Sequence, residues 1–588
     1  MFEEERIQVE NLIKKYCKKE NLPELQLQWT WIPFSGHWGI STSMFALAAA
    51  NARQKQLKSN IPEIATRLAE SIADYLGLPV GFEKVEATKG YLNLYFSQSE
   101  YFHQVIDLVI RDSKTYGHLE NKNELVMVEF SQPNTHKAFH VGHLRSAILG
   151  DTLARILEFA GYEVIRSNYP GDMGLHVIKW LWCYLNFHLG EKPEQDITHW
   201  MGEIYSEAND RLYENPELEK EVRILYKRWD DRDPEVVNLW EETREWSLQG
   251  FYQMYETLGI RFDRYYFNSQ MEKPGKEIVQ ELIDKKIAID ERPEGAVIIK
   301  IDEILGLNKE KYRVFVVLRS DGTALYATED LALAKKKFDD YPQLSRSLYV
   351  VDVRQSLHFQ QVFKTMEIAG YPWSGRCQHI AYELVNLPGN VVMSSREGTI
   401  VLLEDLIREA TQRAYQVVQQ KNPDLSDDKK METAKAIGIG ALKYPMLARE
   451  NTKIVTFDWE SALDFNGQAA PYIQYAYVRT GSIIRKAGGE ITQSIKPEYE
   501  LTAQETELID VISRFPREVE RSATEFRPIQ IANYAYDLAK KFNDFYAQCP
   551  VLQVESHIRS ARLRLVMATR QTIENSLALL GITAPEAM

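Results

Sequence analysis

Apolar residues return every third or fourth position from Ile61 to Leu76, through Ile64, Leu68 and Ile72, and this spacing predicts an amphipathic helix. Soon after, residues 90–96 read GYLNLYF, five apolar or aromatic side chains around Asn93, which predicts a strand. Residues 1 to about 115 therefore read as a small α/β unit. The next unit opens at residues 125–130, LVMVEF, a short apolar run expected of a buried strand. SQPNTHKAF, residues 131–139, breaks the pattern at Pro133 and Asn134 and predicts a loop. Helical spacing resumes from His140 to Ala160 through Leu144, Ile148, Thr152, Ile156 and Phe159, and Gly161 stops it. Residues 163–167, EVIRS, predict a second strand. Strand, loop, helix and strand make one βαβ unit, the building block of a doubly wound parallel sheet.

Residues 193–259 are charged and Trp-rich and predict helices inserted between strands. Strand-like runs resume at residues 295–301, 312–318 and 347–353. From Glu404 helical spacing continues to the end, punctuated at Gly488, Gly489 and Pro550. Lys273-Pro-Gly-Lys276 reads as an exposed turn. No repeat of fixed period occurs. No window approaches about 18 uninterrupted apolar residues, so no transmembrane helix is expected. The acidic start, MFEEERIQVE, lacks the pattern of a secretory signal, and a cytoplasmic protein with no membrane partner is expected.

Composition changes this picture in three ways. At 588 residues and roughly 150 residues per domain, three or four domains are expected. The formal charge of −14 argues against indiscriminate binding to phosphate backbones. Yet from Pro471 to Met588 14 basic residues balance 14 acidic ones, so the acidic excess lies upstream and a nucleic-acid partner suits the C-terminal part. Cys17, Cys183, Cys377 and Cys549 stand apart with no CxxC pair, so neither zinc, another resident metal nor a disulfide framework is expected.

The chemistry gathers in residues 135–146, THKAFHVGHLRS, where Lys137, His140, His143 and Arg145 crowd four cationic or potentially cationic side chains into nine positions. A loop that leaves a parallel strand and enters a helix is where α/β folds bind phosphates, because the helix start offers unpaired N–H groups and partial positive charge. Lys137, His140 and His143 can donate to a phosphate whose charge grows during reaction. Gly142 lets a flat base or a phosphate approach the backbone. No GxxxxGK[ST] string occurs, which excludes a P-loop.

His140-Val-Gly-His143 resembles the HIGH signature of class I aminoacyl-tRNA synthetases, and residues 129–146, EFSQPNTHKAFHVGHLRS, closely resemble the arginyl-tRNA synthetase form of it. The resemblance extends over nearly the whole chain. GDMG (171–174) is similar to that family's GDWG, with Met173 in place of tryptophan. SDGTALYATED (320–330) resembles its SDGxxLYxTxD segment, and VMSSREG (392–398) falls where KMSKS belongs. FNGQAAPYIQY (465–475), FNDFY (542–546), PVL (550–552) and the final LGITAPEAM resemble its anticodon-binding helical domain. The first 115 residues are similar to an added N-terminal domain that contacts the outer corner of the tRNA, although residues 36–39, GHWG, depart from the usual segment there.

The resemblance implies a multidomain α/β plus all-α chain: an N-terminal domain over 1–115, a Rossmann-type parallel-sheet catalytic domain over 120–405 with a helical insertion at about 190–260, and a helical anticodon-binding bundle over 406–588. It implies an arginine–tRNA ligase that uses ATP with Mg²⁺ as substrate, needs no organic prosthetic group, acts as a monomer on L-arginine and tRNA(Arg), and activates arginine only with tRNA bound. His140 and His143 then contact phosphates, Gly142 faces adenosine, and the Met393, Ser394, Ser395 and Arg396 loop closes over the triphosphate. Asn134 and Gln355 hold the α-amino and carboxylate groups. Tyr326 and Asp330, one helical turn apart, take the guanidinium, a planar fork that a carboxylate grips with two parallel hydrogen bonds. Where the family commonly has a glutamate beside the guanidinium, Asn268 stands in FDRYYFNSQ (262–270), so a pocket with one charge less is expected. Tyr475, Arg479 and Arg485 are assigned to tRNA, since basic residues interleaved with aromatics suit unstacked bases.

Both lysines of KMSKS are replaced, by Val392 and Ser395. This leaves two other readings, a catalytically decayed tRNA-binding paralogue and a small nucleotidyltransferase; the second does not require the long helical C-terminal half. A cysteinyl enzyme is disfavoured by the lack of clustered cysteines. Arginyl enzymes that lack those lysines often carry one just upstream of HIGH, and Lys137 sits there, with Arg396 as a second helper. His136 and Arg145 receive no role from the sequence.

Overall fold

A computed structural model describes residues 2–23, 26–56, 60–139, 141–387, 391–392, 402–491 and 493–588. The chain gathers into two compact units.

The larger unit comprises residues 117–475, 517–534 and 576–588. Its centre is a parallel sheet whose strands run Cys377–Tyr382, Leu344–Asp352, Leu125–Glu129, Glu163–Asn168 and Arg264–Tyr265 across the sheet. The predicted βαβ unit is present: strand Leu125–Glu129, helix Val141–Phe159, strand Glu163–Asn168. Val126, Met127 and Val128 are fully buried, as expected of a strand covered on both faces. Leu144, Ile148, Thr152 and Ile156 turn the predicted helix face inward, each aliphatic side chain contributing about 1.5–3 kcal/mol of burial. On either side of Leu125–Glu129 the chain proceeds in opposite directions, to residue 163 and to residue 344. Ligands of open α/β sheets bind at such a reversal, beyond the carboxyl ends of the strands.

The runs expected at 295–301 and 312–318 form strands Val297–Lys300 and Val314–Leu318, but in a separate antiparallel sheet with Ile289–Asp290. Helices Ile197–Glu214, Glu219–Asp230 and Pro234–Thr257 occupy the Trp-rich stretch read as helical, and helix Leu175–Cys183, upstream of it, shares their core through Trp180, Trp229 and Trp240. Residues 273–276 are not the expected exposed turn. They lie inside helix Asn268–Asp284, because Gly275 lets that helix press on residue 328: a Cβ there would stand 2.5 Å from the Thr328 carbonyl oxygen. After Glu404 the chain is helical as expected, apart from strand Val455–Thr456, which pairs with Val385–Leu387.

The smaller unit comprises residues 2–116, 476–516 and 535–575 among those described. Its four-stranded antiparallel sheet runs Trp29–Ile32, Gly39–Ser43, Tyr91–Phe96, Phe82–Thr88. The predicted strand and helix are both present, as Tyr91–Phe96 and Ile61–Leu76. Trp38 of the departing GHWG segment is buried, stacks on Tyr101 with ring centroids 4.0 Å apart, and donates to Asp510 at 3.2 Å.

Candidate active site

Between strand Leu125–Glu129 and helix Val141–Phe159 the backbone passes three times through left-handed conformations without glycine: Ser131 (φ 77°), Gln132 (φ 42°) and His136 (φ 59°). Such residues cost about 1–3 kcal/mol each and persist only where their surroundings hold them. Here each backbone N–H has a side-chain acceptor: Ser131 N donates to Ser146 Oγ (3.0 Å), Gln132 N to Asn168 Oδ1 (3.2 Å) and His136 N to Ser247 Oγ (3.1 Å). The loop is thus clamped to the helix that follows it, the adjacent strand and the inserted helices. It places Asn134 and Lys137 at the carboxyl edge of the sheet. His143 stands in the first turn of the helix, its ring 5.2 Å from the buried Phe139. His140, Met393, Ser394, Ser395 and Arg396 lie outside the described residues.

The two unassigned residues of the motif are structural supports. His136 is fully buried, with Thr135 Oγ1 at 3.0 Å and Thr243 Oγ1 at 2.9 Å from its ring nitrogens, and burial holds it neutral, well below the usual imidazole range. Arg145, also fully buried, donates to the carbonyl oxygens of Glu383, Leu384, Glu450, Asn451 and Lys453. Its two terminal amino groups satisfy carbonyls of two chain segments at once. Burial lowers even this guanidinium, to about 10.

Beside the loop, Gly171 pairs with Asn134 as a parallel bridge, Gly171 N donating to Pro133 O at 3.0 Å and Thr135 N to Gly171 O at 2.9 Å. A side chain at 171 is excluded: its Cβ would stand 2.4 Å from Asn134 Oδ1 and 3.6 Å from Asn268 Oδ1. Asn134 and Asn268 therefore converge on one spot. Next in the motif, the buried Asp172 accepts from Ser269 N (2.9 Å), Ser269 Oγ (2.6 Å) and Arg244 (3.1 Å), and burial raises its carboxyl above the ordinary value. Asp172 thereby seats the start of helix Asn268–Asp284, whose buried first residue, Asn268, donates through Nδ2 to Glu329 Oε2.

Glu329 begins helix Tyr326–Asp340 together with two predicted residues. Tyr326 is 69% exposed, and Asp330 accepts a 2.6 Å contact from His358 Nε2. Gln355 is exposed, immediately before helix Ser356–Ile368, which carries His358. The structure thus brings Asn134, Asn268, Glu329, Asp330 and His358 to the carboxyl side of the sheet. Sequence reasoning missed His358 and Glu329, whose only signals were three positions' distance from Gln355 and adjacency to Asp330.

Lys137 Nζ lies 4.9 Å from the Tyr205 ring centroid of the inserted helix Ile197–Glu214. In the same insertion Cys183, His188 and Glu207 place ligand atoms within 4.8 Å of one another, a grouping that isolated cysteines did not predict. The charges there are already matched: His188 contacts Glu191 (2.9 Å) and Glu207 (2.8 Å), Arg211 pairs with Glu207 (2.6 Å), and burial pushes the thiol up to about 12.

The residues assigned to tRNA lie on helix Ala470–Lys486. Tyr475 is half-buried, with Lys421 Nζ 5.2 Å from its ring. Tyr477 belongs to the core, under the Arg570 guanidinium at 3.8 Å. Arg479 donates to Asn543 at 2.5 Å and lies 5.0 Å from the Tyr546 ring, and Arg485 donates to Ser482 at 3.0 Å. Arg479, Lys486 and Tyr546 line one open pocket of about 470 Å³, floored by the PVL segment.

Residues 104–459 match the family described as tRNA synthetases class I (R), catalytic domain, and residues 473–588 match the DALR anticodon binding domain. The chain is 35% identical to an arginine–tRNA ligase of Bdellovibrio bacteriovorus, over 91% of this chain and 90% of that one. It is 37% identical to one of Clostridium perfringens, over 89% and 90%. Its fold is similar to the Thermus thermophilus arginyl-tRNA synthetase, with a TM-score of 0.75, 28% identity, and 99% and 100% of the two chains covered.

Proposed function

The chain belongs to the class I tRNA synthetases of the arginine group, and from that premise we propose that it is an arginine–tRNA ligase that activates L-arginine with ATP and charges tRNA(Arg). An oxygen of the arginine carboxylate attacks the α-phosphorus of ATP, which is bound with Mg²⁺. The bond to the β-phosphate bridging oxygen breaks, and pyrophosphate leaves. The arginyl group of the adenylate then passes to the 3′-terminal adenosine of the tRNA, releasing AMP.

The protein's part is positioning and stabilisation of phosphate charge. His140 and His143 donate to the phosphates, and Gly142 lies against the adenosine. Lys137 supplies the cation that Val392 and Ser395 do not, with Arg396 in the loop of Met393, Ser394 and Ser395. Asn134 and Gln355 hold the α-amino and carboxylate groups of arginine. Asp330 pairs with the guanidinium while Tyr326 covers it. Tyr475, Arg479 and Arg485 face tRNA. In this reading residues 1–115 touch the outer corner of the tRNA, 120–405 catalyse, 406–588 read the anticodon arm, and the enzyme works as a cytoplasmic monomer. Among the described residues no helix is long and apolar enough to cross a membrane.

One observation carries this reading. Asn134 and the acidic start of helix Tyr326–Asp340 meet, through Gly171 and Asn268, beside a phosphate-type loop at the reversal point of a parallel sheet. Arginine-dependent exchange of pyrophosphate into ATP, measured with and without tRNA, tests it. Exchange that appears only with tRNA is expected; none under either condition would leave the decayed paralogue.

A further inference from the structure

Among the described residues, the acidic cluster around Asp330 contains one carboxylate without a basic side chain as partner. Glu129 pairs with Lys337 at 2.6 Å, Asp172 with Arg244 at 3.1 Å, Glu272 with Lys276 at 2.8 Å and Asp330 with His358 at 2.6 Å. Glu329 is 7% exposed, and among the described residues no Lys, Arg or His lies within ion-pair distance of it. Its one partner is the neutral amide of Asn268 on Oε2; Oε1 accepts no hydrogen bond among the described residues. A buried charge left unpaired is costly, so such a group either binds a proton or waits for a cation.

The neighbours sharpen the argument. Burial first, then Asp330, Glu272 and Asp172, push the Glu329 carboxyl up to about 8, against the opposing pull of the Asn268 amide. Tyr169, Tyr226 and Tyr326 also lie in its field. The Tyr169 hydroxyl is buried with no hydrogen-bond partner among the described residues, a second polar group without a mate beside the same acids.

We propose that Glu329 is the second carboxylate of the arginine pocket, in the place left by Asn268, and that it releases its proton as the guanidinium arrives. The proposal rests on the reading of this pocket as the arginine site. Asn268 then acts as a positioning residue, holding Oε2 so that Oε1 faces the ligand. The proton leaves to solvent, and the pocket gains one negative charge only when a cation is present. A neutral isostere such as citrulline finds a protonated acid that gains nothing from ionising, so the pocket discriminates by charge without holding an uncompensated anion when empty.

Calorimetric titration of the full chain with arginine, with and without tRNA, in buffers of different ionisation enthalpy, counts the proton. At pH 7 close to one proton released per arginine is expected. Affinity should tighten by up to tenfold per pH unit as pH rises toward about 8 and level off above it. Glu329→Gln should release no proton, weaken arginine about tenfold or more, lose this pH dependence and leave ATP affinity unchanged. Because residues 268 and 329 touch, Asn268→Glu in that background should restore part of the affinity. Wild-type arginine binding without proton release, together with an unchanged dissociation constant in Glu329→Gln, would overturn the proposal alone. A wild type that takes no arginine in either condition would sink the reading of the pocket, and the proposal with it.

Discussion

His358 Nε2 lies 2.6 Å from Asp330 Oδ2, so the carboxylate assigned to the substrate's guanidinium is already oriented by a ring from the following helix. Both side chains are about one-fifth exposed, which leaves Asp330 accessible to a ligand while fixing its rotamer. For Asp330→Asn the expected outcome is an arginine KM raised about 10–100-fold, the loss of one or two charge-assisted hydrogen bonds, with the ATP KM little changed. An unchanged arginine KM would remove Asp330 from the pocket. His358→Ala should give a smaller rise in the same parameter, since it disturbs orientation only.

Among the described residues no carboxylate lies within ion-pair distance of Lys137, which stands over the Tyr205 ring, as a cation held for an anionic ligand would. Lys137→Ala should slow tRNA-dependent pyrophosphate exchange by about 100-fold or more, the scale on which a single charge-stabilising donor acts, and nearly as much as His143→Ala. Ser395→Lys in that background should recover part of the rate. A mild Lys137→Ala phenotype would reduce the lysine to a loop residue.

Arg145 closes off five backbone carbonyls, so its loss should act on stability first. Each buried group left unpaired costs about 1–3 kcal/mol, and Arg145→Met should destabilise the larger unit by about 3 kcal/mol or more. Thermal melting followed by circular dichroism checks this. Arg145→Lys should recover only part, because an ammonium lacks the five-donor fork. Equal melting of Arg145→Met and the parent would disprove the supporting role.

Acid should weaken the clamped loop. His136 is buried and neutral, its folded-state pKa well below the ordinary 6.5, so below about pH 6.5 the unfolded chain binds a proton that the folded chain refuses. Stability from this group is full above that pH and declines as pH falls, by up to about 1.4 kcal/mol per unit. His136→Asn should melt lower at pH 7 yet lose less between pH 7 and pH 5. A slope equal to the parent's would assign the acid sensitivity elsewhere.

The helical surface makes a separate prediction. Arg479→Ala should raise the KM for tRNA about five- to tenfold while arginine and ATP constants stay near parental, because the side chain faces a pocket far in function from adenylate chemistry. A matching change in the arginine KM would contradict that division.

Local pattern alone determined the βαβ unit, the Trp-rich helices and the phosphate-type loop, since each depends on spacing within one or two turns or strands. The strings around Asn134, His143, Asp330 and Tyr475 also marked the family, because chemistry at each site needs contiguous residues on one element. Tertiary structure decided what those residues face. His136 and Arg145, without a role in the sequence, turn inward because distant hydroxyls and carbonyls receive them. The Lys273–Lys276 stretch is helical because Gly275 meets the Thr328 backbone, a contact no local rule contains. Asn268 and Glu329 are 61 positions apart; the sequence marks Asn268 as a lost charge and gives Glu329 no role, and only packing of their two helices makes them one buried pair. Spacing reveals which face of an element is apolar, whereas a polar group's role depends on partners that the fold brings from elsewhere.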